Sequence, residues 1–169
     1  APQLSQTLSP VSTSMHRIPA KSFFRPVVRS CFLWRPVAGR RSKALTRGEP
    51  ALALAMLMAL PGVNGNRSAP MLKRLLPLFV GETERHVQGL WASLAAGDAE
   101  AVRALVHKMK SGCHAMGALR LAACARRLDE RIKAGQVPRP EDVESIAEAW
   151  EACWLALRNE GLIDEDAPR

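Results

Sequence analysis

The residues of this chain best suited to chemistry lie in one short run: Val106, His107, Lys108, Met109, Lys110, Ser111, Gly112, Cys113 and His114. On a helix, residues three and four apart share a face, so Lys110 and Ser111 stack with His107. His114 follows two turns on along that face. A neutral imidazole is a nucleophile. Once phosphorylated it becomes anionic, and the Lys110 ammonium then becomes an attractive partner. Lys108 adds positive charge at the edge. Gly112 costs ~1 kcal/mol relative to Ala inside a helix, which predicts that another surface, or the neighbouring helix, comes close to it. A histidine in this setting can accept a phosphoryl group from an activated donor, provided the donor brings the metal and the leaving group. Phosphoryl transfer depends mainly on positioning and charge neutralisation.

Other chemistries find little support. There is no G-x-x-x-x-G-K-[ST] loop, no cofactor fingerprint, no paired carboxylates and no Ser/His/Asp arrangement. No ATP site of the chain's own is visible. His107, Cys113 and His114 make a poor metal set, because Cys113 falls on the inward phase and two turns separate the histidines. His86 reads as a surface residue. The plainest competing reading of His107 is a solvated histidine at the edge of a helix face. Cys31, Cys113, Cys124 and Cys153 form no C-x-x-C pair and are too scattered for a disulfide framework. Free thiols in a reducing cytoplasm are expected.

The elements that must hold this run are helices. Leu72, Leu75, Leu76, Phe79, Val80, Thr83, Val87, Leu90, Trp91 and Leu94 recur at three- and four-residue steps, predicting a helix from 71 to about 96. Gly97 and Asp98 supply a stop and a new N-cap. A second helix is predicted over 99–115, with Val102, Leu105, Val106, Met109, Gly112/Cys113 and Met116 on its apolar face. This phase turns His107 and Lys110 outward together. A third spans 118–134, with Leu121, Cys124, Ala125, Leu128 and Ile132 inward. Pro140 opens a fourth that carries Val143, Ile146, Ala147, Trp150, Trp154 and Leu157 and ends before Gly161. Connections this short imply an all-α, antiparallel up-down four-helix bundle. A short helix over 51–60 should precede it, so the domain is placed at 51–161 with a frayed end at 162–169.

Charge divides the chain. Residues 1–50 hold nine Lys and Arg against Glu49 alone, whereas residues 51–169 hold fifteen of each sign. The net charge of +8 therefore belongs to a Pro- and Ser-rich segment expected to be a disordered tail or linker, and it does not argue for nucleic-acid binding by the folded part. A transit peptide or twin-arginine export signal is the competing reading of this tail. The apolar run 51–60 is shorter than the ~20 residues that span a bilayer.

Taken together, Leu105 to Ser111, followed by Gly117, Ala118, Leu119, Arg120 and Leu121, resembles the histidine-containing phosphotransfer (HPt) domain family. The shared pattern is H-x-[apolar]-K-[small], a glycine ten residues after the histidine and an apolar residue four further on. The likeness covers roughly 61–160. It implies that His107 carries the phosphoryl group and that Lys110 stabilises it. Lys108, Ser111, Gly112 and His114 would then form the surface that meets a partner. Ser111 stands where the family usually has glycine, and His114 where it has a small residue. The resemblance further implies a phosphorelay intermediate working between receiver-domain aspartates. Such a protein acts alone or as the C-terminal module of a hybrid sensor kinase. No cofactor is expected on this chain, and Mg²⁺ is expected on the receiver. A monomeric domain is expected, cytoplasmic or tethered within a membrane-anchored kinase. The alternative is a helical adaptor that binds receivers without phosphotransfer.

Overall fold

The computed structural model describes residues 48–164, so the tail expected over 1–50 lies, as far as residue 47, outside the described residues. Among the described residues all regular structure is helical. A single turn, α1 (Leu54–Met58), precedes four long helices: α2 (Pro70–Ala95), α3 (Ala99–Ala115), α4 (Leu119–Lys133) and α5 (Pro140–Asn159).

The helices begin and end where local chemistry requires. Pro70 and Pro140 start α2 and α5 at positions where a missing N–H costs nothing. Gly97 takes a left-handed φ of 70° to end α2. Asp98 then caps α3 by accepting from the Ala101 N–H at 2.9 Å. α2 runs unbroken through Pro77 and Gly81. Pro77 is exposed, so the carbonyl its ring leaves unbonded can reach water.

Each long helix packs on its successor, and α2 closes the ring on α5. Cross-contacts give the directions. Arg67 pairs with Glu160 at 2.8 Å, and the Trp150 indole N–H donates to Glu84 at 2.8 Å, so α2 and α5 run antiparallel. Lys110 meets Asp129 and Arg131 meets Asp142, which sets α3 against α4 and α4 against α5 in the same sense. This is the up-down bundle read from the sequence. Its core contains Leu72, Leu90, Val102, Val106, Leu121, Val143, Ile146 and Leu157, all essentially inaccessible. Each such side chain contributes about 1.5–3 kcal/mol of burial. Phe79 packs edge-on against Trp150, with ring centroids 5.8 Å apart.

The packing extends past both expected boundaries. The Ala53 N–H donates to Gly117 O at 2.7 Å, the Arg120 N–H to Pro50 O at 3.1 Å, and Arg120 Nε to Glu49 O at 3.2 Å. Glu49 and Pro50, placed with the tail by composition, thus supply acceptors to the uncapped start of α4. Leu162 and Ile163 fold back onto the core beyond Gly161, with the Leu162 N–H bonded to Leu157 O. The expected helix over 51–60 shrinks to Leu54–Met58 because residues 50–53 are drawn across the α3–α4 turn.

Candidate functional site

α3 positions the site. Val106, Met109 and Cys113 are buried, which fixes its rotation. At about 100° per residue, His107, Ser111 and His114 then form its outer ridge, and all three are exposed. Lys108 and Gly112 lie on the flank toward α2 and are exposed as well, while Lys110 lies on the flank toward α4. The six residues singled out in the sequence therefore share one surface.

Two expectations about this surface need correction. Lys110 does not project freely into solvent beside His107. Its side chain is 29% exposed, and its Nζ donates to Asp129 Oδ2 at 2.8 Å. The reason is a carboxylate on α4 that the helix phase carries into the α3–α4 seam. Nor does a neighbouring helix approach Gly112: a Cβ added there would meet nothing within 4 Å. α3 passes this point as an open surface.

Asp129 is the residue the sequence reading missed. It is 1% exposed, the one buried acidic residue among the described residues. Lys133, one turn on along α4, donates to the same Oδ2 at 2.8 Å, and Oδ1 has no hydrogen-bond partner. The hydrogen bond from Lys110, seconded by that from Lys133, holds the carboxyl at a pKa of about 2, although burial opposes this. A signal was available. Asp129 lies four residues after Ala125 and eight after Leu121, in step with the inward stripe, where a carboxylate needs a cationic partner.

On the other flank His86 of α2 is half-buried. Burial lowers its pKa; Glu82 opposes the shift, while Lys108 and Arg85 add to it. Lys108, on the flank of α3 toward α2, is thus among the charges that act on His86. Cys113 and Cys153 are core thiols pushed up to about 12 by burial, and Cys124 is raised for the same reason. They play no part in the exposed chemistry. Among the described residues no cluster of three His, Cys, Asp or Glu could hold a metal, and no helix is long and apolar enough to cross a membrane.

The exposed His107 imidazole thus stands on a helix of fixed register, with His114 two turns on along the same ridge. One lysine is anchored at its α4 side, another flanks its α2 side, and the surface below it is open. That arrangement suits nucleophilic capture of a group delivered by a second macromolecule. Comparison with known proteins agrees. The family model for the Hpt domain matches residues 74–160. Among solved structures the chain is similar to histidine-containing phosphotransfer protein B (HptB) from Pseudomonas aeruginosa PAO1, with 30% identity and a TM-score of 0.57 over 66% of this chain and 94% of that one. No curated protein matches.

Proposed function

The chain belongs to the Hpt domain family, whose members are histidine phosphotransfer intermediates of two-component phosphorelays, and we propose that His107 is the residue on which it carries the phosphoryl group. The observation that supports this reading is an exposed His107 on a helix whose register is fixed by buried Val106, Met109 and Cys113, with Lys110 one turn on. Hpt domains work with receiver domains, so the donor is an aspartyl phosphate. In this reading His107 Nε2 attacks phosphorus, a P–N bond forms, and the P–O bond to the aspartyl carboxyl breaks. The carboxylate leaves with the bonding pair, and the proton on Nδ1 stays in place. Transfer onward to a second receiver reverses these changes. Mg²⁺ belongs to the receiver, and this chain supplies positioning and charge.

Lys108, Ser111, Gly112 and His114 border the imidazole, and a receiver docks over them. The open space at Gly112 suits close approach of a partner backbone. The domain acts as a monomer in the cytoplasm in this reading.

The test is incubation of the full chain with a receiver domain charged by radiolabelled acetyl phosphate. Wild type should gain acid-labile, base-stable label. His107→Gln should gain none while keeping its helical circular dichroism, and label surviving that change would remove His107 from the role. Lys110→Ala should slow labelling by roughly tenfold, the worth of one charge-assisted hydrogen bond, with the fold intact because Lys133 still neutralises Asp129. A wild-type chain that binds the receiver but never takes label would be the adaptor.

A further inference from the structure

The shared carboxylate between α3 and α4 holds more cations than it needs. Asp129 Oδ2 accepts from Lys110 and from Lys133, each at 2.8 Å, so two positive charges converge on one negative charge that is 1% exposed. A single ammonium would neutralise it. The two differ in reach. Lys110 comes from α3, three residues after His107, where it can swing along its own helix face. Lys133 sits one turn from Asp129 on α4 and is held at i+4 spacing on the same helix.

If Lys110 were the sole partner, its departure to meet a phosphoryl group on His107 would strand a buried carboxylate, a strongly unfavourable outcome. With Lys133 in place the same movement leaves a neutral Lys133–Asp129 pair behind. We infer that Lys133 is a positioning residue: it keeps Asp129 neutralised so that Lys110 can pass from Asp129 to the phosphoryl group on His107. The inference rests on His107 and Lys110 having the roles proposed above. Asp129 is thus a resting place for Lys110, and Lys133 sets how easily Lys110 leaves it.

The arrangement predicts a specific coupling. Replacing Lys133 with Ala ties Lys110 to Asp129, and phosphorylation of His107 should slow by roughly tenfold, the size of one charged hydrogen bond. Lys133→Arg keeps the charge and should react within about twofold of wild type. Asp129→Asn removes the charge that detains Lys110, so in that background Lys133→Ala should have no further effect.

The experiment uses the full chain and potassium phosphoramidate, which phosphorylates an accessible imidazole without a receiver, and follows by phosphorus NMR the phosphohistidine signal of His107, identified as the one missing from His107→Gln. The expected result is slowing in Lys133→Ala, recovery in Lys133→Arg, and no effect of Lys133→Ala on top of Asp129→Asn. A Lys133→Ala rate equal to wild type overturns the inference. So does slowing that persists in the Asp129→Asn background, since Lys133 would then act on the phosphate directly. Wild-type protein gives a second readout that does not depend on folding of a variant. Lysine side-chain NMR should show the Lys110 ammonium losing its contact with the Asp129 carboxyl on phosphorylation while Lys133 retains its own; both contacts surviving overturns the inference. His107→Gln exposed to a phosphorylated receiver separates the two levels, because label passed from the receiver to that variant counts against the acceptor assignment, whereas an unaffected Lys133→Ala beside a His107→Gln that takes no label from the receiver counts only against the hand-over.

Discussion

The same two helices, α3 and α4, are joined at two places by opposite means. At their turn the connection is made by backbone. Gly117 adopts a φ of 74°, its carbonyl accepts from Ala53, and the start of α4 is met by Pro50 and Glu49. Near the middle of α3 the connection is made by charge, through Lys110, Asp129 and Lys133. Two of these contacts are backbone to backbone and the third comes from the Arg120 guanidinium, which stays protonated, so none depends on a group that titrates near neutrality or on a ligand. The ionic contacts respond to both. A joint that must stay fixed and a joint that can exchange partners thus lie along the same pair of helices, with His107 nearer the second.

The largest break in that comparison is expected at the turn. A Cβ at position 117 would stand 2.7 Å from Ala53 O, and the left-handed φ penalises any L side chain. Gly117→Ala should therefore lower stability by about 2–3 kcal/mol, measured by urea unfolding. The rate at which the folded fraction takes up phosphate should hardly change, because the ionic joint is untouched. A stability within experimental error of wild type would mean that the arm over 49–53 can lift away freely.

The ionic joint should fail instead with acid. Asp129 is held near 2 in the folded chain, against an ordinary carboxylate value of about 3.9. A folded-state value below the unfolded one means the contribution is complete above about pH 4 and is lost as pH falls toward 2. Asp129→Asn should cost about 1–2 kcal/mol at neutral pH and should lack that part of the acid transition. Melting curves of the two proteins from pH 6 to pH 2 provide the check, and Gly117→Ala should retain the wild-type profile from a lower starting point. Parallel wild-type and Asp129→Asn profiles would show that the carboxylate carries no pH-dependent stability.

Much of this was legible in the sequence. The three- and four-residue spacing of apolar side chains located all four long helices, and proline or Gly-Asp pairs marked starts that the structure keeps at Pro140 and Ala99. The rotation of α3 followed from Val106 and Met109, so the exposure of His107 was readable as well. What helical phase cannot supply is the partner on another helix. Helical phase turns Lys110 outward and offers it no acid within a turn on its own helix; its counter-ion lies nineteen residues away on α4. Asp129 was passed over because a stripe search keeps the apolar positions and discards the one polar residue in step with them. The arm over 49–53 was missed because backbone donors and acceptors leave no mark in composition, and Glu49 and Pro50 act there only through carbonyl oxygens.

The smallest expected effect sharpens the contrast from the α2 side of the site. Burial lowers the pKa of His86, against the pull of Glu82 and with help from Lys108 and Arg85. A histidine whose folded pKa lies below its ordinary 6.5 takes up its proton more readily when unfolded, so stability should decline as pH drops below about 6.5. The decline is modest because half-exposed charges are screened by water. It also falls well above the acid window of Asp129, so the two flanks of His107 respond to pH separately. Urea midpoints at pH 7.5 and pH 5.5 measure it: His86→Gln should lose less stability between them than wild type does. Equal losses would mean that His86 is too well hydrated for burial, with Lys108 and Arg85 beside it, to oppose its protonation. The α2 flank of His107 would then make no pH-dependent contribution to stability through His86, while the α4 flank keeps that of Asp129.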